Sequence, residues 1–405
     1  MKVLVVTSVF PNSKQPTFGV FVKERMLQVA KHCELKVVAP VPWFPFARYL
    51  KKGYRPRVPY LEIQDGIEVY HPRFFNIPKF FKFLDGFFFF LSSLITTYKL
   101  KKKFNFDIID SHFVYPDGFG SILLGKVFGR PVFITVRGTI RILVKYPLIR
   151  HQIRYALNRA ARVFSVCNDL KKVVLEFSIP DQKVIVVPNG IDIRKFNAVD
   201  KLEARKELGL PANKKIIISV GWLNEEKGFH HIINGLSRIK ETFPEILYVI
   251  IGGIPAGGNY EPVLRQLVNK LGHLDDVFFA GSKPHDQLYK WLSASDLFCL
   301  ATAREGWANV FLEAMACGVP VVTTRVGGNE EVVSSSDYGL LFNLGNEKEM
   351  IDAILFAFSK QWSKEAILAY AGMNTWDKRI GTLISQYKEV LALTATFPAG
   401  SRGMQ

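Results

Sequence analysis

The chain has 405 residues, of which 48% are hydrophobic and 22% are charged, a composition that excludes a wholly disordered polymer and suits two packed domains. Its formal net charge is +17, but this charge is unevenly distributed. Residues 1–192 contain 30 Lys and Arg against 13 Asp and Glu, whereas residues 193–405 contain 23 of each. The first half also contains 22 of the 33 Phe residues. These features indicate an anionic, partly apolar partner, and a lipid surface fits at least as well as a nucleic acid.

Short apolar segments rich in Val and Ile alternate with longer helical patterns, which predicts repeated βαβ units. Because these segments are continuously apolar, we expect strands buried on both faces, as in a parallel sheet covered by helices. The predicted strands of the first half are Val3–Val6, Lys36–Ala39, Ile108–Ile109, Val132–Val136, Val163–Val166 and Val184–Val187. Those of the second half are Ile216–Val220, Leu247–Ile251, Val277–Phe279, Leu297–Leu300 and Pro320–Thr323.

The segment Pro188-Asn-Gly-Ile-Asp192 breaks regular structure where the charge balance changes, which indicates a domain boundary. We therefore expect one Rossmann-like domain over residues 1–192 and a second over 193–375. The C-terminal segment 376–393 has the pattern of an amphipathic helix, and residues 394–405 are expected to form a flexible tail.

The Phe-rich segment that begins at Phe80 allows two interpretations. Its most apolar part, Gly86–Tyr98, is about a dozen residues long, short of the roughly 20 that cross a bilayer, so no transmembrane helix is expected. It can be a core helix with a solvated basic end at Lys99 and Lys101–Lys103. Alternatively, its Phe face lies among lipid headgroups while the lysines meet lipid phosphates.

The cysteines do not indicate a metal site or a disulfide framework, because they are far apart and form no CxxC pair. They are Cys33, Cys167, Cys299 and Cys317.

The segment from Ala303 to Pro320 follows a predicted strand and has the pattern of a loop and a helix. Ligands of open α/β sheets bind at the carboxyl ends of strands, so Glu305 and Gly306 are expected to face a cleft. The free backbone N–H groups at the helix start, near Asn309 and Val310, can hold a phosphate. A carboxylate at Glu313, about one turn further, can accept hydrogen bonds from the two hydroxyls of a ribose.

With these residues the sequence resembles the retaining glycosyltransferases of the GT-B type, family 4, and in particular teichuronic-acid, capsule and exopolysaccharide glycosyltransferases. The two glutamates of that family's donor motif are matched by Glu305 and Glu313. The resemblance also covers Pro188–Asp192, Glu226–Gly228, Val326–Val332 and the glycine loop at Gly19. It implies an α/β fold of two Rossmann-like domains whose parallel sheets face each other across a cleft, with the acceptor on the first domain and a nucleotide-sugar on the second. It also implies that the last helix packs back on the first domain.

The resemblance further implies a role for each matching residue. Glu305 contacts hydroxyls of the donor sugar, Glu313 the ribose, and Lys227 the diphosphate, where a cation stabilises the leaving group. The further residues implied at the donor are Gly327, Gly328 and Glu331 in the loop after a strand, His285 and Leu288 around the base, and Gly19 at the start of a helix. His112 matches a histidine often found after its strand, although a supporting histidine of the core is an equal alternative.

Two positions depart from the family pattern. Arg137 stands where the family usually has a histidine, and Trp222 stands where it usually has an arginine that pairs with the lysine at the diphosphate. Because Arg is always charged and can bind bidentately, Arg137 can hold a phosphate or an anionic acceptor and so compensate for the cation lost at Trp222.

The resemblance implies a metal-independent hexosyltransferase with no cofactor beyond the nucleotide-sugar, a UDP-sugar or GDP-mannose. We expect a lipid-linked or polysaccharide acceptor, an anionic membrane surface as partner of the N-terminal domain, and a peripheral position on the cytoplasmic face of the membrane. One alternative is a nucleotide-sugar-binding protein with little transferase activity. A charge-driven nucleic-acid binder is disfavoured, because the glycine loops and paired glutamates would then have no role.

Overall fold

The structure, a computed structural model, describes residues 1–45, 57–77, 80–255 and 258–396. The chain divides into two compact units, unit 1 (Met1–Asn189 together with the segment from Arg379) and unit 2 (Gly190–Lys378). The division lies three residues before the predicted boundary after residue 192. Of the predicted tail, residues 394–396 end the last helix, and 397–405 lie outside the described residues.

Unit 1 is a Rossmann-like α/β unit. Its described strands are β1 (Lys2–Val6), β2 (Glu34–Val38), β3 (Val41–Trp43), β4 (Leu61–Gln64), β5 (Ile67–Tyr70), β6 (Arg73–Phe75), β7 (Ile108–His112), β8 (Val132–Val136), β9 (Arg162–Ser165) and β10 (Val184–Val186). Its helices are α1 (Val20–Ala30), α2 (Asp85–Lys101), α3 (Phe119–Phe128), α4 (Ile140–Leu143), α5 (Pro147–Arg159) and α6 (Asn168–Leu175). The main sheet has the order β10-β9-β8-β7-β1-β2-β5-β4 and is parallel except at β4, while β3 pairs with β6.

Unit 2 is a second Rossmann-like α/β unit around one parallel sheet of order β13-β12-β11-β14-β15-β16. Its strands are β11 (Lys215–Val220), β12 (Ile246–Ile251), β13 (Val277–Gly281), β14 (Leu297–Leu300), β15 (Val321–Thr324) and β16 (Gly339–Phe342). Its helices are α7 (Lys201–Leu208), α8 (Phe229–Thr242), α9 (Glu261–Lys270), α10 (Leu288–Ser293), α11 (Asn309–Ala316), α12 (Asn329–Val332), α13 (Glu347–Ser359) and α14 (Lys364–Met373). The last helix, α15 (Trp376–Thr396), begins in this unit and ends in unit 1.

The apolar runs predicted as strands are strands in the structure. β7, β8 and β12 are buried along their whole length, as expected for a sheet covered on both faces. The sequence interpretation missed the hairpin of β4 and β5, although its signal is present. Asp65 and Gly66, both with positive φ, form the two-residue turn between alternating apolar residues that is typical of hairpins.

Helix α2 extends beyond the apolar stretch Gly86–Tyr98 at both ends. With the 3-10 turn Lys82–Leu84 it forms a 20-residue helical segment that is long and apolar enough to cross a membrane, by length and composition alone. It is packed in unit 1, because the ring of Phe119 occupies the space beside Gly86 and the ring of Phe89 the space beside Gly120 on α3. These two contacts let α2 and α3 approach closely.

A buried hydrogen bond fixes α15 to the sheet of unit 1. The hydroxyl of Tyr387 donates to Asp110 over 2.8 Å, and the Tyr387 ring packs edge-on against Phe133 on β8, with centroids 4.7 Å apart. Asp110 is also the carboxylate whose charge acts on the fully buried Arg25. This carboxylate in the middle of β7 therefore depends on a helix that is more than 270 residues away in sequence.

We expect Tyr387→Phe to destabilise the protein by about 1–3 kcal/mol, because a buried carboxylate loses a hydrogen-bond donor. The midpoint of urea unfolding measures this effect. Tyr98→Phe is the matched control, since Tyr98 is 61% exposed and the loss of its hydroxyl should leave the midpoint unchanged. Equal midpoints for both variants would contradict the role of Tyr387.

Candidate functional site

The loops after β11 and β14 bring together the predicted lysine and glutamate. These strands are neighbours at the centre of the unit 2 sheet, where the chain order reverses, and their loops leave the same edge. The ammonium of Lys227 forms an ion pair with Glu305, whose carboxylate is also reached by the hydroxyl of Thr302 over 3.4 Å. Both charged side chains are mostly buried, so their pairing is fixed by the two loops.

Glycines allow the three loops around this pair to touch. A Cβ at Gly228 would lie 1.9 Å from the carbonyl oxygen of Ala301, and a Cβ at Gly327 would lie 1.9 Å from that of Glu305. Both glycines also have positive φ, which side chains rarely adopt. The aliphatic stem of Lys227 lies 3.5 Å from where Gly221 would carry a Cβ. The loop that carries Glu305 is therefore held between two glycines.

A second ion pair, which the sequence interpretation missed, joins the same two loops. The guanidinium of Arg304 pairs with the carboxylate of Glu226. Arg304 directly precedes Glu305 in sequence, and Glu226 directly precedes Lys227. The amide of Ala303 and the hydroxyl of Thr302 also donate to the carbonyl oxygen of Glu226. Nothing in the local sequence spacing links residues nearly 80 positions apart, so only the sheet order brings them together.

The start of α11 lies at the same edge. Gly306 precedes it, and neither a side-chain cap nor an acidic residue occupies its first turn at Asn309 and Val310. Such a helix start has backbone N–H groups and a partial positive charge for an anion.

Glu313 contacts the loop after β13. Its side chain is 8% exposed, and its carboxylate lies 3.1 Å from Nε2 of His285, whose ring packs against Phe196 with centroids 5.0 Å apart. The structure thus joins Glu313 and His285, both predicted at the nucleoside. The side chain of Leu288 is buried in the core, so only its backbone faces this region.

The other predicted residues of unit 2 lie at the same edge. Trp222 is 41% exposed, and its ring lies 3.2 Å from the Cβ position of Gly253, in the loop after β12. An aromatic surface therefore stands where the family has a cation. Gly328 and Glu331 lie at the start of α12, directly after Gly327.

The predicted residues of unit 1 form a buried cluster at the carboxyl ends of β7 and β8. Nη2 of Arg137 lies 3.3 Å from Nδ1 of His112, and Nη1 lies 3.4 Å from Oδ1 of Asn189. On the other side of the histidine, Nε2 lies 3.4 Å from Asp110. Burial lowers the pKa of His112 to about 4, so the ring is neutral and Nδ1 can accept from the arginine. His112 is fully buried, and Arg137 is 6% exposed.

Aromatic rings hold Arg137 in place, and sequence reasoning did not identify them. Its guanidinium carbon lies 4.7 Å from the ring centroid of Phe21 and 5.8 Å from that of Phe113. Phe113 has a φ of 70°, an unusual conformation for a bulky residue and one that is common near functional sites. Burial, with the nearby charge of Arg25, lowers the pKa of Arg137 well below its usual value, so this site favours an anion beside the guanidinium.

Gly19 begins α1 and is required by its surroundings. Its φ is 79°, and a Cβ there would lie 2.8 Å from the backbone of Val9. The same loop is fixed by Asp117, which accepts hydrogen bonds from the hydroxyl of Thr7 and the amide of Ser8 over 3.1 and 2.8 Å. The position of the glycine loop thus depends on a buried carboxyl group.

Two family models match consecutive parts of the chain. The model of glycosyltransferase family 4 matches residues 28–195, and the model of glycosyl transferases group 1 matches residues 200–375. Together they span both units, and the second model includes all the predicted residues of unit 2.

Similar proteins with curated names include a glycosyltransferase and a synthase. The chain is 29% identical over 374 residues to the teichuronic acid biosynthesis glycosyltransferase TuaC of Bacillus subtilis, and the match covers 90% of this chain and 91% of TuaC. It is 27% identical to N-acetyl-alpha-D-glucosaminyl L-malate synthase of Bacillus anthracis, covering 72% and 76% of the two chains.

Solved structures share the fold. Sucrose-phosphate synthase of Thermosynechococcus elongatus matches with a TM-score of 0.78 and 18% identity, covering 97% of this chain and all of that one. HepE of Anabaena in complex with UDP matches with a TM-score of 0.74 and 20% identity, covering 96% and 100%. These similarities show a GT-B fold of two parallel-sheet Rossmann-like domains.

We expect Gly327→Ala to destabilise the protein by about 2–4 kcal/mol, since the methyl group meets the backbone of Glu305 and the positive φ is strained. Gly345→Ala is the matched control. Its φ is 80° and nothing lies within 4 Å of the added Cβ, so it carries the strain without the contact and should cost about 1 kcal/mol. Urea unfolding measures both, and equal losses would show that the close approach at Gly327 is unimportant.

A pH dependence follows from Asp117, because burial raises the pKa of its carboxyl group to about 7. The folded chain then binds this proton more tightly than the unfolded chain, so stability falls as the pH rises from about 4 to above 7. Between pH 5 and pH 8, we expect the free energy of unfolding to fall by roughly 1–3 kcal/mol less in Asp117→Asn than in the parent protein. Urea unfolding at both pH values measures this difference, and Asp352→Asn, at an exposed position, is the control. Equal losses of stability in the parent and both variants would contradict the role of Asp117.

Proposed function

The chain belongs to the glycosyltransferases of group 1 and family 4, and from this premise we propose that it transfers a hexose from a nucleotide-sugar to a lipid-linked or polysaccharide acceptor with retention at the anomeric carbon. The observation that carries the proposal is the pair of Lys227 and Glu305, held between two glycines at the edge of the unit 2 sheet. A cation and a carboxylate so close together suit a donor with a diphosphate beside a sugar.

A UDP-sugar is the favoured donor, and GDP-mannose is the alternative. Structures of HepE were determined with UDP and with UDP-glucose, and those structures match this chain along nearly its whole length. Further support comes from the start of α11, whose first turn contains no acidic residue, and from Glu313, whose carboxylate suits a ribose.

In the proposed mechanism, Lys227 stabilises the negative charge that develops on the departing diphosphate as the glycosidic bond breaks. Glu305 binds hydroxyls of the sugar, and the backbone at Gly327 and Gly328 approaches the phosphates. The departing phosphate takes the proton of the acceptor hydroxyl, which attacks on the same face of the sugar. These roles require no metal ion and no cofactor beyond the nucleotide-sugar.

Donor binding also has to compete with an ion pair within the protein. Glu305 holds the ammonium of Lys227, so a diphosphate that takes the lysine releases the carboxylate for the sugar hydroxyls. The proposed site thereby couples recognition of the two halves of the donor.

We propose that Arg137 binds an anionic group of the donor or the acceptor and that His112 positions it. Support comes from the burial of Arg137 between two aromatic rings and from Nε of its guanidinium, which has no hydrogen-bond partner among the described residues. Gly19 would contribute the helix start of α1. Arg137 is also our candidate to replace the cation that the family has at Trp222.

The proposed setting is cell-surface polysaccharide synthesis, with the protein on the cytoplasmic face of the membrane. The similarity to TuaC supports a polysaccharide product, and the +17 charge carried by residues 1–192 supports an anionic membrane as partner of unit 1.

A second candidate is a nucleotide-sugar-binding protein with little transferase activity. Trp222 and Arg137, at positions where the family has other residues, favour it. Release of free nucleotide from the donor, with and without acceptor, separates the candidates. Saturable donor binding without turnover would support the second.

A panel of nucleotide-sugars in a thermal-shift assay identifies the donor. A ligand at 100 times its dissociation constant adds about 2.7 kcal/mol to the free energy of unfolding, a readily measured shift. If neither a nucleotide-sugar nor a nucleoside diphosphate shifted the unfolding temperature, the proposed function would be contradicted.

We expect Lys227→Ala to lower kcat by about 10²- to 10³-fold with the identified donor, because charge on the leaving group is no longer stabilised. Lys270→Ala, which removes an exposed lysine at the end of α9, should leave kcat unchanged. We also expect Arg137→Ala to lower turnover at saturating donor; unchanged turnover would remove Arg137 from the mechanism.

A further inference from the structure

Helix α2 exposes a continuous apolar stripe. Its four members are spaced by four, four and three residues, which places them along one face of an α-helix. The exposed fractions are 47% for Phe87, 39% for Leu91, 63% for Ile95 and 61% for Tyr98. The buried side of the helix, which includes Gly86, Phe89, Ser93, Thr96, Thr97 and Leu100, is the opposite face.

Aromatic rings and cations extend the stripe at its two ends. Phe80 and Phe81, directly before the helical segment, are 67% and 60% exposed. At the other end, Nζ of Lys102 lies 5.8 Å from the ring centroid of Tyr98, and Lys99 and Lys103 are exposed beside it. An apolar band that ends in clustered lysines matches the chemistry of a membrane interface, where acyl chains adjoin phosphates.

The surroundings of the stripe are positively charged. Residues 80–160 contain 13 Lys and Arg but only four carboxylates. Asp85, Asp110 and Asp117 are buried, and Asp107 accepts a hydrogen bond from the backbone of Lys2 over 2.7 Å. The helices that adjoin α2, namely α3 and α5, contain no acidic residue at all.

We propose that the α2 stripe is the surface by which unit 1 attaches to an anionic lipid bilayer. Helix α2 lies along the membrane surface, with Phe87, Leu91, Ile95 and Tyr98 among the headgroups and Lys99, Lys102 and Lys103 on lipid phosphates. This inference rests on the proposed function only in taking a membrane as a partner; it adds the face and the orientation.

The contacts of α2 argue against insertion across the bilayer. Crossing would separate Phe89 from Gly120 and Gly86 from Phe119, and would expose Ser93, Thr96 and Thr97 to lipid. A second copy of the chain is a poorer occupant than a lipid surface, since it would bring two cationic surfaces together. Attachment is therefore peripheral and reversible.

The test is co-sedimentation of the full chain with vesicles of phosphatidylcholine that contain about 30% phosphatidylglycerol as the anionic lipid. We expect the triple variant Phe87→Ser, Leu91→Ser, Ile95→Ser to bind at least about tenfold more weakly than the parent. A matched control removes three apolar side chains of unit 2 that are 48–65% exposed, by the substitutions Leu202→Ser, Val263→Ser and Leu274→Ser. This control variant should bind as the parent does.

The charged end of the stripe is tested separately. Replacing Lys99, Lys102 and Lys103 by Glu should reduce binding about a hundredfold or more and remove most of its dependence on salt, because each lysine at an anionic surface contributes about fivefold. Parent protein on pure phosphatidylcholine should bind weakly, and 1 M salt should release it from anionic vesicles. Retention after carbonate extraction would overturn the proposal, as it indicates insertion.

A labelling experiment does not depend on the triple variant being folded. Ile95→Cys in a Cys33→Ser background carries one exposed thiol, because Cys167, Cys299 and Cys317 are buried. An environment-sensitive fluorophore at residue 95 should shift to the blue with anionic vesicles, and the same label at Leu274→Cys should not. The proposal would be overturned if the label at residue 95 did not shift, or if the labels at residues 95 and 274 shifted equally.

Two further measurements separate this proposal from its alternatives. If the triple variant changes a dimer of the parent into a monomer in sedimentation velocity and leaves vesicle binding unchanged, the stripe is a protein interface and the proposal is wrong. The thermal shift with UDP is measured on the same variants. Loss of vesicle binding with an unchanged UDP shift supports the membrane surface, whereas absence of a shift in the parent with UDP and with every other nucleotide of the panel contradicts the proposed function alone.

Discussion

The close backbone approach at Gly228 and Gly327 is the constraint on which the candidate donor site depends. The loop after β14 is held between these glycines, and a methyl group at either would overlap a carbonyl oxygen. This contact fixes Glu305 near Lys227, and the second pair, Arg304 with Glu226, strengthens the same junction. The site therefore consists of loops made rigid by backbone contact, which suits the binding of a ligand without movement of the backbone.

In unit 1, several charged or titratable side chains are buried around one carboxylate. Asp110 accepts from Tyr387, lies beside His112 and is the carboxylate whose charge acts on Arg25. Arg137 is held through His112 and aromatic rings, with no carboxylate in direct contact among the described residues. Buried cations with so little compensation are costly. Such an arrangement is stabilised when an anion binds next to the guanidinium.

The charge asymmetry that is visible in the composition corresponds to two surfaces of different chemistry. In unit 2, Lys227, Arg304 and Arg325 each pair with a carboxylate, so these cations add little excess charge to the edge of the candidate donor site. In residues 80–160 the carboxylates are buried or hydrogen-bonded while most lysines and arginines are not, and an exposed apolar stripe accompanies them. An excess of cations around apolar side chains is a property of surfaces that meet lipid, and paired cations are a property of a specific site.

From the sequence alone, the two Rossmann-like units, most strands of the two main sheets and the family could be predicted, because continuous apolar strands and glycine-rich loops are local patterns that do not depend on knowledge of contacts. Strands β3 to β6 and β16 were missed. The sequence also predicted Lys227, Glu305, Glu313 and His285 as residues of a donor site, and these roles stay predictions. The tertiary structure was needed to show which side chains pair: Glu313 with His285, Arg304 with Glu226, and Tyr387 with Asp110. It also decided which face of α2 is exposed. Those facts depend on sheet order and helix packing, which join residues that are tens to hundreds of positions apart, and no local spacing encodes them.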